Sequence, residues 1–222
     1  MNEYGVFDII GPVMIGPSSS HTAGAARLGY LARKIAGDEI QEVVFILHGS
    51  FAKTHKGHGT DKALLAGVLG LLPDDARIKD AFDLAREKQI RYRFETADLG
   101  EVHPNTVKIV MKTVSGEEWA VTGSSIGGGK IKIIRINEMD VEFEGEYPTL
   151  ITCHQDFPGV VAAISAVLAK FKINIAFMKL FRENKAAHAV LIAETDENIP
   201  HAAVEELEKN SYILKVKVLQ PI

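Results

Sequence analysis

The sequence predicts an α+β protein of two domains, a mixed α/β domain over residues 1–145 and a βαββαβ domain over residues 148–222. Elements before about Glu144 are long helices mixed with strands, whereas those after Pro148 are short and regular. Several segments repeat apolar residues at helical spacing. Others are continuous apolar runs, or alternate apolar residues with lysine and arginine, as is typical of strands.

In the first domain, Leu28, Leu31, Ala32 and Ile35 share one face of a predicted helix that Ser19 or Ser20 would cap. A β-branched and aromatic run follows as a buried strand, and two further helices carry apolar faces. A hairpin with a Ser-Gly turn and a half-exposed strand complete the domain. The predicted helices are 21–36, 60–72 and 75–88, and the predicted strands are 43–47, 107–114, 118–122 and 130–136.

The second domain alternates the two element types in a fixed order. A strand is followed by a helix that begins at Phe157 or Pro158, then by a strand pair around a polar turn at 182–185, a second helix and a last strand with one lysine-bearing face. The predicted strands are 149–153, 174–181, 187–194 and 213–219, and the second helix is 200–210.

Composition excludes several classes of protein. No apolar run approaches the roughly 20 residues that cross a bilayer, and Met1–Asp8 lacks the basic cluster of a signal peptide. The net charge is −4 with both signs interspersed, so we expect no nucleic-acid binding and a cytoplasmic location. Cys153 is the only cysteine, which rules out an intrachain disulfide and a cysteine-ligated cluster held by one chain.

A segment rich in hydroxyls lies immediately before the first helix. It reads GPSSSHTAG over residues 16–24 and places three serines, His21 and Thr22 at a helix N-terminus. Such an end offers free backbone N–H groups and partial positive charge, which suit a carboxylate or a phosphate. One serine could serve only as a cap, but three between two glycines favour a binding or catalytic role.

A second polar loop follows the first buried strand. It reads HGSFAKTHKGHGTD over residues 48–61 and contains three histidines, which suit proton transfer. His55 and His58 have a ligand-like spacing, yet the matching carboxylate and third histidine are missing, so we predict no metal site. The alternative is a solvated loop with Thr60 as a cap, which the glycines on either side of His58 disfavour.

Two further segments carry weaker signals. His103-Pro104-Asn105-Thr106 could be a simple turn before a strand. The glycine-rich run GSSIGGG over residues 123–129 leads into a strand, whereas a dinucleotide-binding fingerprint opens a helix. We therefore interpret the glycine-rich run as a loop whose amides approach a ligand or another subunit.

Together these four segments, over Val6 to about Ile136, resemble the β chain of the two-subunit, iron–sulfur-dependent L-serine dehydratase. The resemblance implies a lyase that converts L-serine to pyruvate and ammonia only together with an α chain, which holds the [4Fe-4S] cluster. The Ser18–Thr22 loop would hold the substrate carboxylate. His21 or His58 would act as acid or base, and Asp61 would orient a neighbouring donor. The implied catalytic residues are Ser18, Ser19, Ser20, His21, Thr22, His58 and Asp61.

The second domain resembles an ACT domain, a ferredoxin-like βαββαβ module that pairs with another copy and binds amino acids. The matching residues are HQDFPGV over 154–160 and Asn174-Ile175. A ligand carboxylate would meet the helix end at Gly159 and Val160, while Asp156 could also cap that helix. The implied ligand-binding residues are His154, Asp156, Gly159, Val160, Asn174 and Ile175, with L-serine as a candidate ligand.

Two other functions were considered for this chain. The chain could be a non-catalytic regulatory subunit that binds an amino acid through the ACT domain and docks through the first domain. A serine–histidine hydrolase is disfavoured, because His21 directly follows Ser20 and adjacency rarely lets an imidazole reach the preceding hydroxyl.

Overall fold

The computed structural model describes residues 13–37, 39–182 and 187–222. The Met1–Asp8 segment and most of the turn predicted at 182–185 lie outside these ranges. The chain divides between Asn137 and Glu138 into two compact units. In the described ranges no helix is both long enough and apolar enough to cross a bilayer.

The first unit joins a mixed sheet to four helices. Its strands run in the order β2-β1-β3-β4-β5, with β1 and β2 parallel and the other neighbours antiparallel. The strands are β1 (Ile40–Leu47), β2 (Arg91–Thr96), β3 (Thr106–Thr113), β4 (Glu118–Gly127) and β5 (Lys130–Ile136). The helices are α1 (Gly24–Ala36), α2 (Gly49–Thr54), α3 (Thr60–Val68) and α4 (Ala81–Glu87), with a π-helical turn at Ser19–Ala23 and a 3-10 turn at Ala76–Asp80.

Several predicted boundaries in this unit were wrong. Residues 123–127 were predicted as a loop but belong to β4, and only Gly128 and Gly129 form the turn. The helix predicted to reach Leu72 ends at Val68, because Gly70 adopts a φ of 89° that breaks the helical path. Helix α2 and strand β2 were not predicted.

Helices α1 and α3 cross with almost no side chain between them. A Cβ on Gly67 would lie 2.1 Å from the Ala26 carbonyl oxygen and 2.6 Å from the Tyr30 nitrogen. A Cβ on Gly29 would lie 2.2 Å from the Leu64 carbonyl oxygen. All three distances are shorter than van der Waals contact, so only glycine fits at the crossing. Since α1 follows the serine segment and α3 follows the histidine loop, this crossing sets the distance between them.

The second unit contains β6 (Met139–Phe143) and a βαββαβ module. The module consists of β7 (Thr149–Gln155), α5 (Val160–Lys170), β8 (Ile175–Arg182), β9 (His188–Thr195), α6 (His201–Glu208) and β10 (Ile213–Leu219). Its four antiparallel strands have the order β10-β7-β9-β8. Ile164 and Leu168 of α5 and Leu207 of α6 bury against Leu150 and Leu191 of the sheet. The predicted α+β class and the order of the module are confirmed.

Candidate active site

The serine segment forms the start of helix α1 through a π-helical turn. Ser18 is extended, with a φ of −142°, and its Oγ accepts a hydrogen bond from the His21 backbone N–H at 3.1 Å. This contact identifies Ser18 as the N-cap, whereas the sequence pointed to Ser19 or Ser20. The backbone N–H groups of Ser19 and Ser20 have no acceptor within the described residues. The helix end therefore keeps two amides available for an anion.

His21 lies between two hydroxyls. Its Nδ1 is 3.1 Å from the Ser20 Oγ, and its Nε2 is 3.0 Å from the Ser50 Oγ. The expectation that adjacency would keep Ser20 and His21 apart was wrong, because the π-helical turn brings the two side chains together. In the described chain both ring nitrogens contact hydroxyls and neither contacts a carboxylate, so the orienting acid of a hydrolytic triad is absent from these contacts.

His58 lies beside His21, and Thr22 holds its backbone. The two imidazole centroids are 5.1 Å apart with an angle of 40° between the rings. The Thr22 hydroxyl donates to the His58 carbonyl oxygen at 3.2 Å, and Thr22 is only 3% exposed. Thr22 was expected to contact the substrate carboxylate, but its buried hydroxyl already joins the serine segment to the histidine loop. Phe51, fully buried, packs its ring edge-on against His21 at 5.4 Å.

The segments 103–106 and 123–129, which carried the weaker sequence signals, also contact this site. The Ser50 backbone N–H donates to the Pro104 carbonyl oxygen at 2.8 Å. Gly49, with a φ of 54°, packs so closely on Pro104 that a Cβ would lie 2.6 Å from that oxygen. The Ser125 N–H donates to the Asn105 carbonyl oxygen at 2.9 Å. Thus the structure brings four sequence motifs together in one cluster.

Ser125 also borders the beginning of helix α1. A Cβ on Gly24 would lie 2.0 Å from the Ser125 Oγ, so Gly24 leaves room for this serine. Within the described residues the Oγ atoms of Ser125 and Thr60 are buried and have no hydrogen-bond partner. Buried hydroxyls normally find partners, and these two are exceptions at the N-terminal ends of α1 and α3.

The remaining polar residues of the histidine loop lie apart from the His21 and His58 rings. Asp61 Oδ1 accepts from the Lys62 backbone N–H at 2.8 Å, so its described contact stays within the first turn of α3. His55 Nδ1 contacts the Ala52 carbonyl oxygen at 3.1 Å. His48 Nδ1 accepts from the Leu99 N–H at 3.1 Å. Within the described residues, the Asp61 carboxylate therefore makes no hydrogen bond to His21 or to His58.

Burial, and secondly the charge of the neighbouring His58, lower the pKa of His21 below its ordinary value. A histidine with a lowered pKa in the folded state binds protons less readily than in the unfolded chain. Its contribution to stability is complete above about pH 6.5 and is lost as the pH falls below that value. At neutral pH the His21 ring is therefore uncharged.

We expect the free energy of unfolding of the first unit to fall between pH 7.5 and pH 5 less steeply in His21→Asn than in the unmodified chain. Fluorescence of Trp119, the only tryptophan and a residue of β4, reports unfolding of this unit in urea. His188→Asn, which removes an exposed histidine of the second unit, is the control. Equal pH dependence in His21→Asn and the unmodified chain would contradict this assignment.

The described residues contain no group of three or more His, Cys, Asp or Glu side chains arranged to hold a metal ion. Cys153 lies on β7 in the second unit, and burial raises the pKa of its thiol. Its environment therefore favours the protonated thiol over the thiolate that metal ligation requires.

In the second unit, the predicted ligand-binding residues lie at the end of β7, at the start of α5 and at the start of β8. Gly159, with a φ of 94°, is the N-cap of α5, so the helix begins at Val160 rather than at Phe157 or Pro158, and Asp156 does not cap it. Asp156 instead pairs with Arg182 at the end of β8. The Asn174 side-chain amide, just before Ile175 at the start of β8, donates to Asp196 at 2.6 Å. His154 is 2% exposed, and its burial lowers its pKa.

Two residues of the cluster were not singled out from the sequence. Ser50 was inside the histidine loop, but a lone serine after glycine gives no signal that it faces a histidine 29 positions earlier. Phe51 was inside the same loop, and its burial became evident only with helix α2. The short α2 places both side chains against His21, and nothing in the local pattern predicts that helix.

Fold and site together define a class: a two-domain protein that joins a hydroxyl- and imidazole-lined helix end to a C-terminal βαββαβ module. The family described as serine dehydratase beta chain matches residues 5–134, and the ACT domain family matches residues 149–211. The chain belongs to the serine dehydratase beta chain family and carries a C-terminal ACT domain. The resemblance found in the sequence is thereby confirmed.

Similar proteins agree with this membership. The chain is 45% identical over 97% of its length to the probable L-serine dehydratase, beta chain, of Bacillus subtilis, and it covers 98% of that protein. It is 46% identical over 86% of its length to the L-serine dehydratase, beta chain, of Peptoniphilus asaccharolyticus, and covers 86% of it. L-serine dehydratase 2 of Escherichia coli is 31% identical over 57% of this chain, a match that covers only 32% of the longer protein.

Proposed function

We propose that this chain is the β subunit of an L-serine dehydratase, which converts L-serine to pyruvate and ammonia together with an α chain. The observation that carries the proposal is a helix end with free amides beside two histidines whose rings are 5.1 Å apart. Relatives of nearly equal length are named as beta chains. The match to only 32% of the Escherichia coli enzyme supports a division in which another polypeptide supplies the remainder.

The serine segment is proposed to hold the substrate carboxylate. The N–H groups of Ser19 and Ser20 lack acceptors in the described chain, whereas the His21 N–H is already bound by the Ser18 hydroxyl. The positive end of the helix dipole adds to the attraction for an anion. Ser20, whose Oγ contacts His21, would give a hydroxyl contact to the bound carboxylate, and Thr22 would position the loop.

His58 is proposed to accept the Cα proton of serine. Its imidazole is exposed and has no hydrogen-bond partner within the described residues, whereas both nitrogens of His21 are engaged. When His58 takes the proton, the C–H electron pair forms the Cα–Cβ double bond and the C–O bond to the β-hydroxyl breaks. The departing hydroxide takes up the proton that His58 removed from Cα, so that water leaves and the His58 imidazole becomes neutral again. The resulting aminoacrylate tautomerises and is hydrolysed to pyruvate and ammonia.

The side chains of this chain do not fit as ligands of a [4Fe-4S] cluster. Such a cluster is usually held by cysteine thiolates, and the single cysteine, Cys153, belongs to the second unit, whereas the serine and histidine loops belong to the first. We therefore propose that the cluster implied by the family resemblance is held by the α chain.

Reconstitution tests the proposed activity. The chain is purified without oxygen, alone and together with a cysteine-rich α chain, and pyruvate formation from L-serine is measured. We expect brown colour and activity only in the pair, and loss of activity in the Ser19→Ala, His21→Ala double variant. A pair that binds serine without forming pyruvate would favour the non-catalytic regulatory subunit instead. Full activity of the double variant would contradict the role of the serine segment.

The ACT domain is proposed to bind an amino acid at the start of α5. Gly159 caps that helix without a side chain, so the N–H groups of Val161 and Ala162 have no acceptor in the described part of the chain. Titration of the full chain with L-serine by calorimetry tests this site. Asn174→Ala should weaken the binding, and unchanged affinity would contradict a role for Asn174.

We further propose that the ACT domain mediates a homodimer through strand β8. This strand lies at the edge of its sheet and exposes Phe177, Met178 and Leu180, of which Phe177 is 54% exposed. An exposed apolar edge strand readily pairs with another copy. Light scattering coupled to size exclusion should show a monomer for Leu180→Lys and a dimer for Leu214→Lys, which changes the opposite edge strand. Dissociation of Leu214→Lys alone would place the interface on β10.

A further inference from the structure

Ser50 contacts the His21 ring nitrogen that Ser20 does not contact. Its Oγ is 3.0 Å from Nε2, while the Ser20 Oγ is 3.1 Å from Nδ1, so the ring links two hydroxyls from distant parts of the chain. A neutral imidazole has one N–H donor and one acceptor nitrogen. The two serines must therefore take opposite roles, and the role of Ser50 determines that of Ser20.

The two hydroxyls differ in how firmly their backbones are held. Ser50 donates its N–H to the Pro104 carbonyl oxygen at 2.8 Å, and its own carbonyl accepts from the Thr54 hydroxyl at 2.8 Å. Gly49 packs directly on Pro104. Ser20, by contrast, lies in the first turn before α1, and its N–H lacks an acceptor within the described residues. Ser50 is thus the fixed end of this chain of contacts.

We propose that Ser50 is a positioning residue that fixes the tautomer and ring orientation of His21, and through them the direction in which the Ser20 hydroxyl points. Only the last consequence, a Ser20 hydroxyl oriented toward bound serine, rests on the proposed function. The effect on His21 is a property of this chain alone and is measurable without the α chain. Orientation of a neutral histidine by a hydrogen bond to its far nitrogen is a common device in functional sites.

Nitrogen NMR of the full chain, labelled with ¹⁵N-histidine, tests this proposal at pH 8. The His21 signals are those missing from the spectrum of His21→Gln. We expect widely separated shifts for the two ring nitrogens in the unmodified chain, as for a single neutral tautomer. In Ser50→Ala the two shifts should move toward each other, because two tautomers become populated, and in Ser50→Thr the separation should return.

Thr54→Val provides the matched control. It removes a hydroxyl from the same short helix, one that contacts Ser50 only through the Ser50 carbonyl oxygen. If the His21 shifts are the same in Ser50→Ala and the unmodified chain, or if Thr54→Val changes them as much, Ser50 does not fix the ring. A purely structural role predicts equal effects of both substitutions.

Kinetics of the reconstituted pair give a second test. Ser50→Ala should lower kcat/KM for serine about 10- to 100-fold, the range expected when a contacting group is slightly misplaced, and Ser50→Thr should recover most of that loss. Retention of full kcat/KM in Ser50→Ala would contradict the orientation of Ser20. If the unmodified pair forms no pyruvate, the proposed function fails, while the NMR result still decides the tautomer.

Discussion

Replacing His58 by glutamine is expected to lower kcat for serine about 10²- to 10⁴-fold, the usual contribution of a general base. The imidazole of His58 is exposed, so glutamine should be accommodated without repacking. The hydrogen bond from Thr22 goes to the His58 carbonyl oxygen, and glutamine retains that acceptor. Steady-state kinetics of the reconstituted pair, together with thermal melting of the chain alone, separate lost chemistry from lost folding.

His55→Gln is the matched control for this substitution. His55 lies three residues earlier in the same loop, and its described contact is with the Ala52 carbonyl oxygen rather than with His21. We expect its kcat to stay within a few-fold of the unmodified pair. If His58→Gln keeps most of its activity while His21→Gln loses it, the proton acceptor is His21 and the assignment made here is wrong.

Replacing Gly67 by alanine should destabilise the first unit by about 3 kcal/mol, the upper part of the usual range for overpacking. The added methyl would lie 2.1 Å from the Ala26 carbonyl oxygen and 2.6 Å from the Tyr30 nitrogen. Both atoms belong to the backbone of α1, so no side chain can rotate away and the helices must separate. Urea unfolding followed by Trp119 fluorescence measures the effect, and Gly29→Ala should behave in the same way.

Gly57→Ala controls for the general cost of placing alanine at a glycine. The nearest atom to its Cβ would be the Thr54 carbonyl oxygen at 3.7 Å, an ordinary contact. We expect a change in unfolding free energy below about 1 kcal/mol, as for most substitutions without a steric conflict. Equal destabilisation by Gly57→Ala and Gly67→Ala would show that the helix crossing has no special steric demand.

Much of the fold was predictable from local pattern. Helix α1 and the whole βαββαβ order follow from apolar spacing, and the module was recognised in the correct sequence of elements. Two parts of the first unit were not predictable. Helix α2 has only six residues, and its glycine and serine favour a loop locally. The segment 123–127 resembles a loop in composition, but backbone pairing with β3 and β5 makes it a strand.

The sequence predicted several members of the site, but neither Ser50 and Phe51 nor the contacts that connect the members. The serines and His21 were singled out at a predicted helix start and His58 in a histidine-rich loop, and the family resemblance assigned them to one active site. The sequence holds no signal for which serine is the cap or which hydroxyl is buried. Those roles depend on the π-helical turn and on the contact from Ser50, which come from parts of the chain 29 residues apart. Thr22 and Asp61 show the same limit: Thr22 is buried with its hydroxyl on the His58 carbonyl oxygen, and the Asp61 carboxylate accepts from the neighbouring Lys62 N–H.

The glycine crossing of α1 and α3 also determines how this half of the site can respond to a ligand. Backbones in direct contact have no compressible layer of side chains between them, so the two helix ends cannot approach one another by repacking. We therefore expect any closure of this chain around a bound molecule to come from rotation of side chains such as those of His58 and Ser19. We expect this chain to act as a rigid support for a ligand, so that any larger movement around that ligand would have to come from a partner chain.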